Sequence, residues 1–118
     1  MLKTYRNAQL DAMIVSLQSL LERRDKIGYI AARNTRIIMD ALTEYYRFRN
    51  ELVAKYGEEI DGQMQLSYTS PKFKQFSQEF KDIQNAQQDL DLMTLDYEDV
   101  IGELSGEEIL LLDWMLEE

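Results

Sequence analysis

The chain has 118 residues, 45% hydrophobic and 30% charged, with a formal net charge of −9; this suits one domain around a modest core and argues against wholesale disorder. It contains no cysteine and no histidine. That removes disulfides, thiolate metal sites, cysteine nucleophiles, the commonest general base and the usual transition-metal ligand, so the composition predicts a non-enzymatic protein without cofactor or metal.

No apolar run approaches the length of a bilayer span, and the opening Met1-Leu2-Lys3-Thr4-Tyr5-Arg6 lacks the apolar core of a signal peptide. A cytoplasmic protein with no membrane partner is expected. The charge is unevenly divided: residues 1–56 hold ten Lys/Arg against six Asp/Glu, and residues 57–118 hold three against sixteen. From Asp89 onward there are eleven acids and no base. Either the halves complement each other within the fold, or the molecule presents two electrostatically distinct surfaces.

Helix one is expected from Asn7, read as an N-cap, with Leu10, Met13, Ile14, Leu17, Leu20 and Leu21 on one apolar stripe. It fades at Glu22-Arg23-Arg24, where cations suit the negative end of the helix dipole. The link from Asp25 to Gly28 is short enough to force an antiparallel hairpin.

Helix two is expected to run unbroken from Ile27 to Tyr56, with Ile27, Ile30, Ala31, Ile38, Leu42, Tyr45, Phe48, Leu52 and Tyr56 at helical spacing. At about 1.5 Å per residue it spans about 45 Å, roughly twice what helix one covers. The far half, from Tyr45 to Tyr56, therefore needs a cover: the C-terminal third of the chain, or a second copy in a homodimer. Asn34 falls within the apolar stripe. A buried Asn fixes register or oligomeric state; the alternative is a half-solvated Asn at the stripe's edge.

On the outer face, Arg36–Asp40 and Arg47–Glu51 are spaced as exposed ion pairs. Arg23, Arg24, Arg33 and Arg36 gather near the hairpin tip with Lys26 and are candidate interaction residues. Interspersed acids dilute the stripe, so direct nucleic-acid binding is not favoured.

Helix two ends at Gly57, and Asp61-Gly62 is a strong turn signal. Met64, Leu66 and Tyr68 alternate with polar residues as a strand over residues 63–69. Ser70-Pro71 starts helix three, whose Phe73, Phe76, Phe80 and Ile83 are expected to cover the far half of helix two. Leu90 and Leu92 alternate with acids as a second strand, Asp89–Leu95, expected to pair with residues 63–69. Asp89, Asp91, Asp96, Glu98 and Asp99 lack the glycine and ligand rhythm of a calcium loop; they are candidate interaction residues. Residues 96–104 form a short helix, and Ser105 with Glu108 caps a last one. There Leu110, Leu111 and Trp114 spread the apolar surface almost all round. A helix so apolar must dock on something, and Trp114 is the remaining candidate residue.

The expected fold is mainly α with a minor β part: a long antiparallel helical hairpin, a third helix, a short C-terminal helix and a two-stranded element. It forms one domain over 1–118, with a hairpin at 1–57 and an acidic strand-helix-strand-helix region at 58–118.

Several features together suggest a family: the two-helix start, Ala32-Arg33-Asn34-Thr35, Leu52 to Tyr56, Asp61-Gly62, Phe76, Glu79, and Leu104-Ser105-Gly106-Glu107 before the last helix. Over nearly its whole length the chain resembles small acidic proteins of unknown function encoded by bacteriophages and prophages of Gram-positive bacteria. The resemblance implies a phage context and the host cytoplasm, and brings no catalytic or ligand residues. Two functions are then expected in order: an interaction protein binding another phage or host protein through helical surfaces, or an acidic inhibitor of a host nucleic-acid-binding defence system, of anti-restriction or anti-CRISPR type, that mimics DNA.

Overall fold

The facing apolar stripes of the first two helical segments set the architecture of the computed structural model, which describes residues 2–117. Strand β1 (Lys3–Arg6) leads directly into α1 (Asn7–Leu17), which tightens into a 3₁₀ turn at Gln18–Leu20. The chain reverses and α2 (Lys26–Ala41) returns along α1, followed by α3 (Thr43–Tyr56). Asp25 caps α2 by accepting from the Gly28 N–H at 3.2 Å. A hairpin of β2 (Glu58–Ile60) and β3 (Gln63–Gln65) precedes α4 (Phe73–Asn85) and β4 (Gln87–Leu90). The chain then passes through β5 (Leu95–Asp96), α5 (Tyr97–Val100), α6 (Gly106–Leu111), a 3₁₀ turn at Asp113–Met115 and β6 (Leu116–Glu117). The fold is mainly helical, with small two-stranded sheets.

Helix two is not continuous. Leu42 sits at φ −93°, ψ 3°, between α2 and α3. Its N–H is shared between the Ile38 and Met39 carbonyls at 3.0 and 3.2 Å, and helical bonding resumes with Tyr46 N–H to Leu42 O at 2.9 Å. The Thr43 hydroxyl also donates to the Met39 carbonyl at 3.3 Å. Competition for that carbonyl gives the break a local cause. Because Leu42 itself is buried, the apolar stripe carries on across the break.

The strand pairing differs from the expected one. Asp61 and Gly62 both have positive φ, 53° and 80°, the geometry of a tight hairpin turn, and they pair β2 with β3 directly, Glu58 opposite Gln65. Strand β4 instead pairs antiparallel with β1, Lys3 opposite Leu90 and Arg6 opposite Gln87. Lys-Thr-Tyr-Arg offers one apolar residue and no alternation, so β1 is set by its partner rather than by its own pattern. Residues 91–94 are irregular, and β5 pairs in parallel with β6, Leu95 opposite Leu116. The end of the expected last helix is thus extended chain.

Asn7 begins α1 but is no cap. Its own N–H donates to Ala86 O at 3.0 Å, its side-chain amide donates to Ile83 O at 2.8 Å, and its Oδ1 accepts from Gln88 Nε2 at 2.7 Å. Gln88 also donates to Ala41 O at 2.9 Å. This network ties β4 and the end of α4 to the α1–α2 pair. Gly57 ends α3 in extended backbone; a Cβ there would lie 2.4 Å from the Val53 carbonyl oxygen and 2.8 Å from that of Gln65, so the hairpin's approach demands glycine.

Helix α4 covers α3, as the three phenylalanines suggest. Phe80 stacks on Tyr45 with centroids 5.6 Å apart, and Phe73, Phe76 and Phe80 follow one another along the interface. Tyr56 Oη donates to Glu79 at 2.8 Å. Tyr45 and Leu52 are buried by this cover, while Phe48 remains 40% exposed. The chain's own third helix, rather than a second copy, covers most of the far half.

The C-terminal segment completes the core, with Leu92, Leu95, Val100, Leu104, Leu112 and Met115 packed on Leu10, Leu17, Ile27, Ile30 and Ile38. Asn34 directs this docking. It is 0% exposed, its Nδ2 donates to Met93 O at 2.9 Å, and its Oδ1 accepts from Met93 N at 2.7 Å. Of the two readings of Asn34, the buried one is realised, and the register it sets is internal to the chain. Asn34→Leu leaves both backbone groups of Met93 unpaired in a site closed to water. Urea unfolding is expected to show a loss of about 3 kcal/mol; a change within about 0.5 kcal/mol would mean that the clamp does not hold the segment.

Candidate interaction surfaces

The hairpin tip consumes part of the charge asymmetry internally. Arg23 Nη2 lies 2.6 Å from Asp25 Oδ2 and 2.8 Å from Glu103 Oε2, and its Nη1 donates to the Glu103 carbonyl at 3.3 Å. Lys26 Nζ meets Asp99 Oδ2 at 3.1 Å. These pairs fasten the α1–α2 turn to the α5–α6 segment, so Arg23 is a clasp rather than a free contact. Hydrogen bonding to Asp25, then to Glu103, pushes the Arg23 guanidinium above its ordinary value. The Arg23 hydrogen bond holds the Asp25 carboxyl below its usual range, helped by the Gly28 N–H. The Lys26 ammonium does the same for Asp99, joined by the Asp96 N–H.

Arg24, Arg33 and Arg36 are exposed and make no ion pair among the described residues. The expected Arg36–Asp40 pair does not form, whereas Arg47 pairs with Glu51 at 3.5 Å and also with Glu44.

The candidate acids do not converge. Asp89 accepts from the Thr4 hydroxyl across the β1–β4 ladder. Asp96 and Asp99 form a reciprocal capping box at the start of α5. Asp91 lies close enough to Tyr5 to add to the rise that burial imposes on that phenol. Glu98 is exposed. Among the described residues no three carboxylates gather as they would around a metal ion.

Trp114 stands apart from these charged groups. It is half-buried beside a groove of about 560 Å³ whose far wall is the flank of α1 opposite α2. Ala8, Ala12 and Ser16, four residues apart, make a low wall; Leu111 and Trp114 face them, and Arg6 stands among the lining residues. The indole Nε1 is covered by protein and has no hydrogen-bond partner among the described residues, an uncommon state for a buried donor. Sequence reasoning singled out Trp114 but not Ala8, Ala12 and Ser16. The signal was present in their i, i+4, i+8 spacing, masked because small residues weigh little in a hydrophobic pattern. None of the described helices is long and apolar enough to cross a membrane.

Comparison with protein families, with curated proteins and with solved structures finds no match.

The lowered Asp25 and Asp99 carboxyls bind protons less readily folded than unfolded. Their contribution to stability is therefore present above about pH 4 and is lost as pH falls through their folded values. Arg23→Gln removes the main cause of the Asp25 shift. Melting temperature followed between about pH 5 and about pH 3 should fall less steeply in that variant than in the wild type.

Proposed function

We propose that the chain is a non-enzymatic interaction protein of phage or prophage origin that binds another phage protein or a host protein through its helical surface. The observation that supports this reading best is the groove between α1 and the Leu111–Trp114 wall. It is concave, mostly apolar, and has an exposed leucine on its rim, which suits a helix or extended segment laid along small residues. The absence of cysteine and histidine weighs against the commonest catalytic chemistries. The phage context rests on the resemblance in sequence alone. The acid-mimic reading has less support, because Asp89, Asp96, Asp99 and Glu103 are each engaged within the chain.

Retention experiments with phage-infected lysate test the groove. The wild type should hold a protein that both Leu111→Asp and Ala12→Arg lose, because each places charge or bulk on a wall that must stay apolar and low. Trp114 is the single tryptophan, so its emission should shift when the purified partner is added. Equal retention by wild type and both variants would sink the groove as the binding surface.

A further inference from the structure

We draw no further inference here: the strongest candidate, the groove between the end of α1 and the outer face of α2 lined by Leu21, Ala32, Thr35, Arg36, Met39 and Asp40, carries nothing, because its one arginine is balanced by its one aspartate and nothing in the structure shows what covers it.

Discussion

The clamp between Asn34 and the backbone of Met93 is the constraint on which the rest depends. A helical hairpin can slide or roll on an irregular apolar strap at little cost, because hydrophobic contact has no direction. An amide that both donates to and accepts from one residue has direction, and in a site closed to water it tolerates no substitute partner. Once Met93 is held, Leu92 and Leu95 fall onto the core, β5 is placed to pair with β6, and Met115 closes over the clamp with its sulfur 3.9 Å from Asn34 Nδ2. A second polar set, Asn7 with Gln88, does the same for β4 and α4. Two buried amides thus convert an amphipathic pattern into one arrangement of segments.

The far end of the molecule is built on a different balance. Between α3 and α4 the packing centres on a row of rings, Tyr45, Phe80, Phe76 and Phe73, joined at the exposed end by Tyr68, with Leu52 buried under the same cover. No residue of α4 is fully buried. The break at Leu42 falls where the core covered by α1 and the C-terminal segment gives way to this arm.

Charge is used in the same two ways. At the hairpin tip, Arg23 and Lys26 neutralise Glu103 and Asp99 and so bring opposite ends of the chain together. Exposed pairs of this kind add little stability, and their effect is chiefly to favour one docking over others. The arginines left over on α2 and the leucines left over on α6 are what the fold does not use. The Trp114 groove is where association can act without disturbing the core.

The sequence by itself determined the mainly helical fold, the hairpin, the Asp61-Gly62 turn, the Ser105–Glu108 cap and the placing of Phe73, Phe76 and Phe80 over α3. Each depends on residues a few positions apart, whose spacing or turn chemistry carries the information. Only the tertiary structure decided that β1 pairs with β4, that Asn7 is a bracket rather than a cap, that Arg23 is a clasp, and that Trp114 faces Ala12. In each of those cases the partner lies between 76 and 102 positions away along the chain, and a residue's own pattern is silent about a partner so distant. Asn34 lay between the two: its place in the apolar stripe announced a buried amide, and only the docked C-terminal segment supplied the peptide that it holds.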